Sequence, residues 1–203
     1  AFFEKHIKQI NLFITGVGNV GSKLIEQLHN QKEYLQSHLK LNIKVAGLSN
    51  SRKMLTNAEG IDLSNWEDQL AKGEKADPNA FFEIAKGLHL RNSIYVDNTA
   101  NEKIAHTYPP YLKSSISVVT CNKIAAAETY AYYSNLKQLA RTYNAPYLFE
   151  TNVGAGLPII DTLNHLITSG DKVHSVQAIL SGSLNFVFNE FNDKTTFREV
   201  VKK

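Results

Sequence analysis

A glycine turn set between a strand and a helix constrains this chain more than any other feature. The run ITGVGNVGSKLIEQL, Ile14 to Leu28, places Gly16, Gly18 and Gly21 in the order G-x-G-x-x-G. The preceding segment NLFITG (11–16) is a short apolar run of strand character. From Asn19 to about Leu39 the residues Val20, Leu24, Leu28 and Leu35 recur at helical spacing. Each glycine answers a separate demand. The first allows a tight turn, the second lets backbone approach a pyrophosphate, and the third lets the helix pack closely on the strand. Backbone N–H groups at the helix start then face the phosphates. In this strand–turn–helix context the motif predicts a dinucleotide site lined by Gly16, Val17, Gly18, Asn19, Val20 and Gly21.

Strand and helix signals continue to alternate along the chain. IKVAGLS (43–49) predicts a second strand, and SNWE (64–67) has the form of a capping box that opens a short helix. DPNAFFEIAKGL starts another helix, with Asp77 as N-cap and Pro78 in the first turn. A strand at 93–98, a helix disturbed by Pro109 and Pro110, a strand at 117–120, a long helix over 124–143 and a strand at 146–151 follow. Beyond these come a helix from LPIIDTLNHLITSG, a strand at 175–182, a helix at 183–191 and a helix start at Thr196 and Glu199. The expected fold is α/β: a Rossmann-type doubly wound parallel sheet over 1–150, then the start of a second, α+β substrate domain over 151–203.

Composition narrows the function. With 43% hydrophobic residues among 203 the chain can bury a core. A net charge of +3, spread among carboxylates, is no nucleic-acid footprint. One cysteine, Cys121, precludes an internal disulfide, and the seven histidines lack zinc-ligand spacing. The N-terminal residues carry charges where a signal peptide needs an apolar core, and no apolar run approaches about 18 residues. A cytoplasmic protein with a small-molecule substrate, and with neither nucleic acid nor membrane as partner, is expected.

Ligands in such folds sit beyond the carboxyl ends of the strands. After the second strand the sequence reads LSNSRKM, without a carboxylate to hold a ribose 2′-hydroxyl. Ser49, Asn50, Ser51, Arg52 and Lys53 offer hydroxyl, amide and cationic donors instead, which favours NADP over NAD. VDNTAN brings Asn98, Thr99 and Asn101 to another strand end, and VVTCNK brings Thr120, Asn122 and Lys123. These polar residues also serve simply as turn formers. Lys123 either contacts the cofactor or a substrate carbonyl, or is a surface lysine.

A second run of small residues, ETNVGAGLPII (150–160), completes the pattern. Together with INLFITGVGNVGSKLIEQL, VVTCNK and ILSGSLNF, it gives the chain a resemblance to homoserine dehydrogenase. LTNAEGIDLSNWEDQL resembles, more narrowly, the dehydrogenase half of bifunctional aspartokinase–homoserine dehydrogenases. The resemblance implies interconversion of aspartate 4-semialdehyde and homoserine with NADPH or NADH, a step toward threonine and methionine. It implies that Lys123 lies by the cofactor, as a residue of the catalytic centre. It further implies that Glu150, Val153, Ala155 and Leu157 hold a monovalent cation, usually sodium, largely through backbone oxygens. Gly154, Ala155 and Gly156 suit that role, since small residues let carbonyls converge on a hard cation. By the same resemblance the parent protein is a homo-oligomer, an aspartokinase region precedes Ala1, and the principal proton-transferring lysine follows Lys203. The chain is then expected to bind cofactor and to turn substrate over poorly. Cys121 stands where many relatives have proline. Two other readings stay open: a nucleotide-sensing module without catalysis, and an aldehyde dehydrogenase using Cys121 as nucleophile, which needs a base near the thiol although no histidine is adjacent in sequence and His106 and His165 could only be spatial neighbours.

Overall fold

The computed structural model describes residues 7–202; residues 1–6, part of the signal-peptide reading, and Lys203 lie outside them. The chain forms two units that divide between Phe149 and Glu150. The first begins with β1 (Lys8–Thr15), α1 (Asn19–Ser37), β2 (Leu41–Ser49), β3 (Lys53–Thr56), α2 (Trp66–Ala71) and β4 (Glu74–Lys75). It continues with α3 (Pro78–Gly87), β5 (Ser93–Asp97), α4 (Glu102–Ala105) and α5 (Tyr108–Lys113). It ends with β6 (Ser117–Thr120), α6 (Ile124–Ala127), α7 (Tyr130–Thr142) and β7 (Tyr147–Leu148).

The sheet order is β4-β3-β2-β1-β5-β6-β7. The strands β2, β1, β5, β6 and β7 are parallel, with β1 between β2 and β5. Alternate residues of β1 serve opposite faces. Phe13 joins Phe81 of α3, Tyr108 and Tyr111 of α5 and Leu136 of α7 in one core. Leu12 and Ile14 join Ile25 of α1 and Leu70 of α2 in the other. Burial on both faces explains why LFI reads as a continuous apolar run rather than an alternating one. Phe13 and Ile14 are fully buried, and each such side chain contributes about 1.5–3 kcal/mol. Asp77 caps α3 as the sequence predicts, its carboxylate accepting from the N–H groups of Asn79 and Ala80.

Several expectations are corrected. The chain turns back after β2 through Asn50, and β3 pairs antiparallel with β2 and β4 with β3, an edge the sequence reading lacked. Ser64 does not cap α2: its hydroxyl and N–H both donate to Asp62 Oδ1, at 2.8 and 3.0 Å. This local turn competes with the capping box, and α2 starts later, at Trp66. The helix expected over 124–143 is broken at Glu128, which is extended, and restarts where Thr129 accepts from the N–H of Tyr132. The break expected at Pro109–Pro110 separates α4 from α5, with the prolines in the first turn of α5, where no N–H is needed.

The second unit holds a 3-10 turn (Glu150–Asn152), α8 (Ile160–Thr168), α9 (Gly182–Glu190) and α10 (Phe197–Val201). The capping box of Thr196 and Glu199 forms as its spacing predicts. Phe197 packs its ring against Phe188 and Phe191, and Val200 is buried. Residues 175–182 are not a strand. They have no ladder partner among the described residues, and Val176, Ile179 and Leu180 lie exposed. Without a neighbouring strand the segment gains no ladder hydrogen bonds, and its exposed backbone groups are left to water. Among the described residues no helix is long and apolar enough to cross a membrane.

Candidate cofactor site

Three parallel strands end together at the glycine turn. Gly16 N–H donates to the Ser49 carbonyl at 2.8 Å, and Asn98 N–H donates to the Thr15 carbonyl at 2.9 Å. Gly16 has φ +92°, and a Cβ there would lie 2.8 Å from Thr99 Cγ2. A Cβ on Gly21 would lie 1.9 Å from the Gly16 carbonyl oxygen. These two glycines are therefore required by the protein's own packing. Gly18 is different: a Cβ on it meets nothing within 4 Å. Its carbonyl accepts from Ser22 N–H at 2.8 Å as α1 begins, so the space beside it faces a helix N-terminus. Gly18, Asn19 and Val20 are exposed and Gly16 and Val17 half-buried. Beneath the turn, Asn98 turns its Oδ1 toward Cys121 Sγ at 3.9 Å, while its Nδ2 is buried without a partner. An open, donor-rich cradle with an orphaned amide below it fits a phosphate-bearing ligand.

On one side of the turn lies a cleft of about 480 Å³, lined by Val17, Asn50, Arg52, Lys53, Trp66, Glu67, Leu70 and Ala71. Asn50 shapes its rim. Its Oδ1 accepts from the N–H groups of Arg52 and Lys53 at 2.8 and 2.7 Å, so its oxygen is a turn former. Lys53 Nζ donates to the Gly73 carbonyl at 2.9 Å and holds β3 to the end of α2. Arg52 is exposed, the cation best able to meet a phosphate; Ser51 lies exposed on the turn and outside the cleft lining. Sequence reasoning missed Trp66 and Glu67. The signal was the helix start at 64–67, but only the antiparallel β3 turns that helix onto the cleft. Glu67 brings a carboxylate to the cleft, although the strand tip has none.

On the other side, the ends of β5 and β6 meet around Asp97, which is fully buried. Its Oδ1 accepts from Thr99 N–H at 2.7 Å, and its Oδ2 from Tyr108 O–H at 2.5 Å and Asn122 Nδ2 at 3.0 Å. Asn122 Nδ2 also reaches the Asn101 carbonyl at 3.1 Å, and Thr120 Oγ1 donates to the Asp97 carbonyl at 2.9 Å. Burial, reinforced by the Asp97 charge, pushes the Tyr108 phenol far above its ordinary range, so it stays a donor. Thr99 is half-buried beside this network, and Lys123 stands exposed one residue after Asn122, at the start of α6.

Cys121 lies between them. Burial first, and the Asp97 charge second, push its thiol up, which leaves it a poor nucleophile. His106 is no base for it: Nδ1 faces the Glu102 carbonyl at 2.8 Å and Nε2 faces Glu128 at 3.6 Å.

In the second unit, the loop proposed for a cation bends through Gly154 at φ +72° and Ala155 at φ +51°. Glu150 Oε1 accepts from Ile160 N–H at 3.0 Å and Oε2 from Asp161 N–H at 2.8 Å. Both carboxylate oxygens thus cap α8, whose own N-cap residue, Ile159, supplies no side-chain bond. Of the backbone carbonyls in this loop, that of Glu150 accepts from Val153 N–H at 3.4 Å and that of Leu157 from Ile159 N–H at 3.0 Å, and both Ala155 and Leu157 are exposed. No cluster of three His, Cys, Asp or Glu side chains able to hold a metal occurs among the described residues.

Comparison with known proteins identifies the family. The family model for the homoserine dehydrogenase NAD-binding domain matches residues 16–150, and that for homoserine dehydrogenase matches residues 158–203. The chain is 38% identical over 194 residues to a bifunctional aspartokinase/homoserine dehydrogenase of Haemophilus influenzae, covering 95% of this chain and 24% of that protein. It is 40% identical over 190 residues to a chloroplastic bifunctional aspartokinase/homoserine dehydrogenase 1 of Arabidopsis thaliana, covering 93% of this chain and 21% of that protein. It thus spans under a quarter of the length of these relatives. Among solved structures, a hyperthermophilic archaeal homoserine dehydrogenase in complex with NADPH superposes with a TM-score of 0.78 at 24% identity, over 96% of this chain and 60% of that one. That likeness shows the Rossmann-type fold. With the first family model matched from the glycine turn to Glu150 and the second over most of the following unit, the chain belongs to the homoserine dehydrogenase family.

Proposed function

We propose that this chain is the NADP(H)-binding part of an oxidoreductase that interconverts aspartate 4-semialdehyde and homoserine. The observation that carries the reading is the open space at Gly18, where no protein atom would oppose a Cβ yet the N-terminus of α1 is presented. Gly16, Val17, Gly18, Asn19, Val20 and Gly21 would hold the pyrophosphate through backbone N–H groups. Asn50, Ser51 and Arg52 would surround the adenosine ribose, with Arg52 meeting a 2′-phosphate. Thr99 and Lys123 would face the nicotinamide end, Lys123 placing an ammonium near the carbonyl oxygen that gains negative charge. The bound nicotinamide supplies the hydride; these residues bind it, orient it and balance charge. Glu150, Val153, Ala155 and Leu157 would offer carbonyl oxygens to a monovalent cation such as sodium. The parent protein is proposed to be cytoplasmic and homo-oligomeric, its partner a small molecule.

The test is a fluorescence titration of the chain with NADPH and with NADH, repeated with Arg52→Ala. Tighter binding of NADPH that falls about tenfold in the variant, with NADH unchanged, is expected, an Arg–phosphate contact being worth about 1.5–3 kcal/mol. Equal binding of both nucleotides overturns the NADP assignment. No binding by a folded chain overturns the cofactor reading itself.

A further inference from the structure

We propose that Asp97 is a positioning residue of the cofactor site, joining the loops after β5 and β6 into one unit that presents Thr99 and Lys123. The inference rests on the proposed roles of those two residues. Asp97 is buried at the end of β5, yet it touches neither the glycine turn's open space nor the cleft beside Arg52. A buried carboxylate is costly unless donors surround it. Here the donors come from three separate places: Thr99 N–H on the loop after β5, Asn122 Nδ2 on the loop after β6, and Tyr108 O–H from α5.

The register of β5 and β6 sets Asp97 directly beside Thr120, and Thr120 Oγ1 accepts from Asn122 N–H at 2.8 Å while donating to the Asp97 carbonyl. Asn122 in turn accepts from Ile124 N–H at 3.1 Å, which starts α6 next to Lys123. The backbone on either side of Lys123 is thus tied to a carboxylate on the neighbouring strand. A plain core role needs only apolar packing at this point. The structure instead has one charged acceptor serving both loops that border the proposed nicotinamide position, while β2 and Arg52 lie on the far side of β1. Disturbing Asp97 should therefore affect one half of the dinucleotide and spare the other.

The experiment compares NADPH with adenosine 2′,5′-bisphosphate, which carries the adenosine and 2′-phosphate features without nicotinamide. Asp97→Asn keeps the shape but sets its NH₂ against that of Asn122. Tyr108→Phe removes a single donor and keeps the ring, so it serves if the first variant does not fold. Either variant is expected to weaken NADPH about tenfold and leave the bisphosphate within about twofold. Equal weakening of both ligands by a folded variant makes Asp97 a general structural residue and overturns the proposal. Unchanged NADPH binding overturns it as well. A wild-type chain that binds the bisphosphate but gains nothing from the nicotinamide half refutes the roles of Thr99 and Lys123, and with them this proposal. A wild-type chain that binds neither refutes the cofactor reading first.

Discussion

Gly18 and Gly21 are three residues apart, and the structure predicts opposite consequences for the same substitution. At Gly21 an added Cβ would sit 1.9 Å from the Gly16 carbonyl oxygen, far inside the roughly 3.5 Å at which non-bonded heavy atoms attract. Helix α1 would have to lift from the turn by more than an ångström, and overpacking of this kind costs about 1–3 kcal/mol. The helix preference of alanine over glycine returns roughly 0.5–1 kcal/mol, leaving Gly21→Ala less stable by up to about 2.5 kcal/mol. For a chain of this size that lowers Tm by up to about 10 °C. At Gly18 the Cβ meets nothing, and the φ of −73° suits alanine, so stability should move by less than about 0.5 kcal/mol. The same methyl would stand where a pyrophosphate approaches the backbone, and NADPH affinity should fall at least about tenfold, or 1.4 kcal/mol. Thermal unfolding followed by circular dichroism and nucleotide titration by fluorescence give both quantities. A folded Gly18→Ala variant that binds NADPH like the wild type would refute the reasoning, since the open space would then not be the cradle.

Other outcomes follow from the buried groups. Burial raises the phenols of Tyr95, Tyr108, Tyr111 and Tyr147 well above 10.0, and that of Tyr132 to about 12. The folded state keeps protons that the unfolded chain releases, so this stabilisation is complete below about pH 10 and is lost as pH climbs further. Tyrosinate absorbance should rise in two waves, the later one together with loss of circular dichroism; a single wave near pH 10 would contradict the burial. The raised thiol of Cys121 should react with iodoacetamide at neutral pH more slowly than glutathione does, and an equal or faster rate would reopen the nucleophile reading. Glu150→Ala removes both acceptors at the start of α8 and should cost that helix about 1–2 kcal/mol, seen as faster hydrogen exchange at the amides of Ile160 and Asp161. Unchanged exchange there would show that the carboxylate is no cap. Glu150→Gln should keep any sodium-dependent rise in Tm if the cation is held by backbone oxygens; its abolition would return the carboxylate to the ligand set.

The strand–glycine–helix unit was legible in the sequence because each glycine answers a local demand: a positive φ at Gly16, close approach at Gly21, open space at Gly18. The starts of α3 and α10 were legible for the same reason, since a cap and its acceptors lie within a few residues of each other. Motifs with local causes also carried the family resemblance. What the sequence hid depends on pairs far apart along the chain. Lys53 fastens to Gly73, and the antiparallel edge of β3 and β4 turns Trp66 and Glu67 onto the cleft, an arrangement no local spacing encodes. Asp97 reads in sequence as one residue of a strand at 93–98, next to its end. Only the register of β5 against β6 sets it beside Thr120 and within reach of Asn122, so its role exists in the sheet alone. Glu150 likewise gives no sign in sequence of where its carboxylate goes; only the folded-back loop brings both of its oxygens to two amides ten and eleven residues ahead. Backbone preference and side-chain size act over one turn of chain and can be read in order; hydrogen-bond partners chosen by sheet register and loop closure are decided only when the tertiary structure brings them together.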